Sequence, residues 1–313
     1  MKPGLTSVLL ASCVAAAPIA AADVQFFDLF YSTFYNQTSG SAPTDYDDSN
    51  FSARIIATPG DVGFARVLTP DLQDLSLPEI GPGYFLFQQD FSTQEDSLFA
   101  FGPGDYIFGI QDGTLGDQAG EIMRPDGSFW SEEIPAFTES CFWQMQSADA
   151  ASDLTLEFNT FAAPAPANTS LIFVFIYDEF GAVVFNDYFE SSIGTEVIPG
   201  GTLDQGRHYS VLLYFSSRIE NLTAEFGGSA KILGFDRVTI APLVTVATCP
   251  ADLNHDGFVD DLDFVFFVVA YNILDCADPA MPQWCPADLT LDGVVEDSDF
   301  VLFVGAYNEL LCP

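Results

Sequence analysis

Residues 249–276, CPADLNHDGFVDDLDFVFFVVAYNILDC, and residues 285–312, CPADLTLDGVVEDSDFVLFVGAYNELLC, are two copies of one segment set 36 residues apart. Their Cys, Pro, Asp, Gly, Phe, Tyr and Asn positions stay in register throughout, which marks an internal repeat. Each copy opens on an Asp-rich loop of a dozen residues and runs straight into an apolar segment of helix length. Oxygen-bearing side chains at alternate positions lead to a Gly at which the chain can turn sharply. Such a loop offers oxygen ligands and little else.

In the first copy Asp252, Asn254 and Asp256 stand at loop positions 1, 3 and 5, Gly257 at 6, the Phe258 carbonyl at 7, Asp260 at 9 and Asp263 at 12. This is the stagger of an EF-hand loop, which wraps a hard cation taking about six to eight oxygens at roughly 2.3–2.6 Å, Ca²⁺ rather than the tightly octahedral Mg²⁺. The second copy supplies Asp288, Thr290, Asp292, Gly293, the Val294 carbonyl, Glu296 and Asp299. Thr290 offers a hydroxyl where Asn254 offers an amide, so two Ca²⁺ sites are expected, the first stronger. With Asp at position 12 and Cys flanking each copy, residues 249–313 resemble a type I dockerin, in the form found at the C-termini of many secreted planctomycete proteins. The resemblance implies a small all-α, EF-hand-like domain that plugs into a cohesin-like or other surface-anchoring protein. Cellulosomal dockerins read their partner largely at positions 10 and 11, commonly a Ser-Thr pair; here Asp261, Leu262, Asp297 and Ser298 stand there.

Phe264, Phe267, Val268 and Tyr271 form one stripe at helical spacing, matched by Phe300, Phe303, Val304 and Tyr307, and the two stripes are expected to bury each other. Val265, Phe266, Val269, Val301 and Leu302 then fall on other faces, and a module of this size has too little interior to hide them. Either they pack on the rest of the chain or they form a docking patch. The four Cys of the repeats allow three pairings. A helix over 261–274 would be about 20 Å long, too long for its two ends to share a disulfide, which needs Cα atoms within about 7 Å. Antiparallel helices about a pseudo-twofold axis put the end of each beside the other's loop, which favours Cys249–Cys312 and Cys276–Cys285.

At the other end, residues 1–22 read as a secretory signal: a short basic start, an apolar run from Leu5 to Ala22 and small residues before a cut at Asp23. Leu10-Ala11-Ser12-Cys13 also matches a lipobox, the rival reading. No other stretch is long and apolar enough to span a bilayer. A secreted, extracellular or cell-surface protein is expected. The formal charge of −37 with 8 Lys and Arg disfavours nucleic acid and anionic lipid, favours Ca²⁺, and suits a saline medium.

Residues 23–247 read as antiparallel β throughout, in runs such as VQFFDLFYSTFY, SLFAFGPGDYIFGI, SLIFVFIY and HYSVLLYFSSRI, punctuated by Gly, Pro and Asp. Asp178-Glu179-Phe180-Gly181 is expected to turn a hairpin. The fold class is therefore mainly β, an antiparallel sandwich or jelly-roll-like region, as one domain or as two with a seam near 135–141. It also resembles, loosely, a class of secreted planctomycete β-proteins, a likeness that implies no activity.

Catalytic groups are scarce. The two histidines are His208 and His255, and the second lies inside the first Asp loop, which leaves no triad or multi-His metal site. Asp45, Asp47, Asp48, Glu132 and Glu133 read as solvated loop charges, and Cys141 as a buried apolar thiol in a strand. Trp130 and Trp143 read as core before sugar platform. The reading is a non-catalytic surface or structural protein anchored through its tail. The alternative is an extracellular polysaccharide-binding module or hydrolase delivered by that tail.

Overall fold

The run VQFFDLFYSTFYN carries bulky apolar side chains on both of its alternations, so a strand made of it must be covered on both sides. A computed structural model describes residues 23–308 apart from 115, 247–248, 255–257, 283–284 and 291, and there the run forms β1 (Val24–Asn36). Next come β2 (Tyr46–Ala57), β3 (Phe64–Leu68), β4 (Asp74–Leu77), β5 (Glu79–Gly81), β6 (Tyr84–Phe91), helix α1 (Gln94–Ala100), β7 (Gly104–Gln111) and β8 (Gln118–Arg124). Helix α2 (Glu139–Met145) leads to β9 (Leu154–Glu157), β10 (Thr169–Asp178), β11 (Val183–Glu190), β12 (Thr195–Ile198), β13 (His208–Thr223) and β14 (Ser229–Val244). The tail holds α3 (Asp261–Tyr271) and α4 (Asp297–Tyr307).

Eight strands make one long sheet in the order β11-β10-β13-β14-β1-β2-β6-β5, beside a four-stranded sheet β4-β3-β7-β8 and a ribbon β12-β9. Alternation along β1 turns Phe27, Leu29, Tyr31 and Thr33 to one face and Phe26, Asp28, Phe30 and Ser32 to the other. On the first face, Phe27, Tyr31, Phe51 and Phe235 pack with Tyr106 and Phe108 of the four-stranded sheet. Further along the same face, Ile172, Leu213 and Phe215 pack with Phe142 and Met145 of α2 and Leu156 of β9. The two cores thus share one continuous sheet. Half of the region is a sheet-on-sheet sandwich; the other half is covered by a helix and a ribbon, so the jelly-roll expectation does not hold.

Three expectations are corrected. β1 and β14 pair in parallel, Phe27 beside Lys231 and Tyr31 beside Phe235; they come from opposite ends of the region, so no tight turn forces them antiparallel, and the intervening chain supplies the crossover. Two helices occur where only strands were expected. Thr93 and Thr138 cap them by accepting from Asp96 and Cys141 N–H groups, and at 7 residues each they are too short to print a helical period. Cys141 accordingly sits in α2, buried, with its sulfur accepting the Glu157 N–H at 3.2 Å. The hairpin at Asp178 is as read: its Oδ1 accepts from the Phe180 and Ala182 N–H groups at 2.9 and 2.7 Å, and Gly181 takes φ +84°.

Candidate metal centre

Each tail loop is organised around its position-12 carboxylate. Asp263 has no exposed surface and accepts from the Asn254 and Asp260 N–H groups, both at 2.9 Å. Asp299, equally buried, accepts from Thr290 and Glu296, both at 2.8 Å. Each therefore ties loop position 3 to position 9 and closes the capping box of the helix that follows. In the second loop Asp288 accepts from the Asp292 and Gly293 N–H groups at 3.2 and 2.8 Å, and Asp292 accepts from Val294 at 3.1 Å. Gly293 takes φ +92°, a backbone conformation that position 6 reserves for Gly. Asp256 and Gly257 of the first loop lie outside the described residues, as does His255.

Helices α3 and α4 are antiparallel. The Tyr271 hydroxyl donates to Asp297 and the Tyr307 hydroxyl to Asp261, so the last residue of each helix meets the first of the other. Leu274 accepts from the Val295 N–H at 2.7 Å and Gly293 from Cys276 at 3.1 Å, which lays the end of the first repeat along the second loop. Cys276 and Cys285 are disulfide-bonded with Cα atoms 5.4 Å apart, the pairing expected from that arrangement. Cys249 is disulfide-bonded too, and its expected partner Cys312 lies outside the described residues. The Asp–Tyr reciprocity was legible as a repeated Tyr with a repeated Asp at position 10, a signal that the reading of positions 10 and 11 as partner contacts passed over.

The apolar stripes meet along their length but are fully buried only at their centres. Phe267 and Phe303 are buried with ring centres 5.0 Å apart, while Phe264, Val268, Phe300 and Val304 stay 36–42 % exposed. The expected burial of the whole stripe is thus corrected, because two 11-residue helices have little mutual surface; α3 also ends at Tyr271 rather than 274. Leu262, Val265, Phe266, Val269, Val301 and Leu302 are 47–69 % exposed, so they do not pack on the β region. Asp261, Asp297 and Ser298 are exposed beside them.

The donor set suits a hard cation. Residues 249–313 contain no Lys or Arg; Asp252, Asp263 and Asp299 are buried, and the carboxylates of Asp263 and Asp299 accept from backbone N–H groups. Burial pushes the Asp299 carboxyl up, but the N–H groups of Glu296 and Thr290 outweigh it and hold the group below its ordinary value. Asp299 therefore stays ionised, and a divalent ion would supply the missing positive charge. Among the described residues no three acidic, His or Cys side chains converge as a ready cage; the carboxylates of loop two are turned onto backbone N–H groups instead.

Elsewhere, Trp130 is in the core, its Nε1 donating to the Asp236 carbonyl, and Trp143 is 56 % exposed, so the two do not form a common platform. Burial raises the Cys141 thiol, opposite to the activation a nucleophile needs. Asp45, Asp47, Glu132 and Glu133 are solvent-exposed. No described helix is long and apolar enough to cross a membrane.

No family model and no curated protein matches this chain. Among solved structures it is similar to a BSP domain of a biofilm-associated protein, at 12 % identity over 64 % of this chain and 28 % of that one, with a TM-score of 0.18. It is also similar to a Ca²⁺-stabilised adhesin with which an Antarctic bacterium binds ice, at 11 % over 70 % and 48 %, TM-score 0.22. A two-domain fibronectin type III segment of chicken tenascin gives 12 % over 61 % and 94 %, TM-score 0.20. The chain spans less than half the length of the first two, and scores this low carry no argument about fold or function.

Proposed function

We propose that the chain is a secreted, non-catalytic β protein of the cell surface, held there by a calcium-dependent, dockerin-like tail that docks on a cohesin-like or other surface-anchoring protein. The exposure of Leu262, Val265, Phe266, Val269, Val301 and Leu302 on two short helices supports the docking role, because soluble modules rarely leave so much apolar surface together without a partner. The all-oxygen loops and the lack of any Lys or Arg in residues 249–313 support calcium. Asp252, Asn254, Asp256, Phe258, Asp260 and Asp263 would hold the first ion; Asp288, Thr290, Asp292, Val294, Glu296 and Asp299 the second. Bound Ca²⁺ supplies charge neutralisation that fixes the loops and, through the capping boxes, the helices. The test is calorimetry of the full chain with Ca²⁺, beside cell fractionation with and without chelator. Calcium-independent attachment, or no heat of binding, refutes the reading.

A further inference from the structure

The seam between α3 and α4 is closed on one side and open on the other. On the closed side Phe267, Ala270 and Phe303 pack with Leu253, Val259 and Val295 of the two loops. Phe264 reaches across to Phe303 and Phe300 to Phe267, with ring centres 6.1 and 5.7 Å apart, yet Phe264 and Phe300 stay exposed. These two rings therefore line the open side. Val268, one turn on from Phe264, continues that line with Val265 as its i,i+3 neighbour, and Val301 and Val304 repeat the arrangement on α4; all four are exposed. One apolar face thus crosses both helices, and it continues round each of them to Phe266 and Leu302.

Acids stand at both ends of this face. Asp261 opens α3 and Asp297 opens α4; each is exposed and accepts from the Tyr hydroxyl that ends the other helix. The rise along an 11-residue helix therefore sets these two carboxylates about 15 Å apart. Neither belongs to the calcium donor sets, so bound Ca²⁺ leaves both as anions, and residues 249–313 hold no Lys or Arg to offset them. A partner that covers the apolar face meets these charges at its rim.

We propose that the docking partner is a protein surface with an apolar centre and a Lys or Arg at each end of it, the two cationic groups about 15 Å apart. The inference rests on the docking role proposed above and adds the chemistry of what is docked on. Opposite charges at the rim speed encounter and fix orientation, while like charges set against each other oppose binding. A second copy of the tail would bring only acids to the rim, and an anionic bilayer only phosphate and carboxylate groups. Both are disfavoured by the same two carboxylates.

The test uses the full chain and cells stripped of it with a chelator, and reads the rate of attachment once Ca²⁺ is restored. The double substitution Asp261→Asn, Asp297→Asn keeps an acceptor for each Tyr hydroxyl and removes both charges. It should attach about tenfold more slowly than the parent at low salt, and the gap should close at about 1 M NaCl, where screening acts over about 3 Å. Asp261→Lys with Asp297→Lys should be slower still, with helical circular dichroism checking that each tail is folded. The parent's own rate should fall with salt over the same range, which keeps the test decisive if a variant misfolds. An Asn variant as fast as the parent at low salt, a Lys variant that is faster, or a parent rate indifferent to salt overturns the proposal. Calcium-dependent dimerisation of the full chain that Val301→Glu abolishes overturns it too, and gives the face to a second copy. If the parent does not reattach with Ca²⁺ at all, the docking role falls as well; reattachment that ignores charge refutes this inference alone.

Discussion

Phe266 and Phe267 are neighbours on α3 with opposite surroundings, 47 % and 0 % exposed, and together they separate docking from folding. Phe267 packs its ring 5.0 Å from Phe303 and 5.7 Å from Phe300, at the centre of the tail's core. Truncating such a ring costs about 3–5 kcal/mol, and a core in a module this small supplies about that much in total, so Phe267→Ala should melt the tail outright. Phe266 has no comparable packing to lose, and a surface substitution there should change stability by no more than about 0.5 kcal/mol. If the outer face is a docking site, Phe266→Glu places a charge in it and should cost at least about 2 kcal/mol of binding, about thirtyfold in Kd. Both variants are made in the full chain; attachment is read by cell fractionation and tail folding by the helical circular dichroism signal on heating. Phe266→Glu should be released into the medium with an unchanged melt. A variant that melts early and stays attached would falsify the docking role of this face.

Calorimetry should resolve two Ca²⁺ events, with Asp263→Asn abolishing the tighter and Asp299→Asn the weaker; a reversed order would show that the Asn254-to-Thr290 difference does not rank the sites. Non-reducing peptide maps should link Cys276 to Cys285 and Cys249 to Cys312, and a Cys249–Cys276 peptide is incompatible with the antiparallel helices. Asp28 and Arg54 form a buried ion pair at 2.6 Å across β1 and β2; removing one partner by Asp28→Ala should cost about 3–5 kcal/mol, a fall of about 10 °C in Tm, and a fall of only a degree or two would deny the pair its structural role. Burial lifts the Asp236 carboxyl to about 6 despite Arg218 nearby. A folded pKa above the unfolded one means the folded state holds the proton more tightly. Its contribution is therefore full below about pH 4 and is lost as pH rises through about 6. Asp236→Asn should flatten the guanidinium midpoint across that window, and an unaltered slope would place the titration elsewhere.

The tail was legible in the chain because its determinants are local. Loop positions, the turn at Gly293, the capping carboxylates Asp263 and Asp299 and the helix starts all lie within a dozen residues of one another, and the repeat displays them twice. Strands of the β region were legible for the same reason: each run is rich in Phe, Tyr, Val and Ile and is bounded by Gly, Pro or Asp. What the sequence by itself could not determine is which strands meet. The parallel pairing of β1 with β14 joins residues some two hundred positions apart, and no local pattern encodes a partner at that range. Helices α1 and α2 were hidden because two turns carry too few residues to display a period. Tertiary structure alone also decided which apolar residues are interior. Phe264 and Phe267 stand in the same stripe of the sequence, yet one is 42 % exposed and the other fills the module, since burial depends on the partner helix and on how little surface two short helices can share.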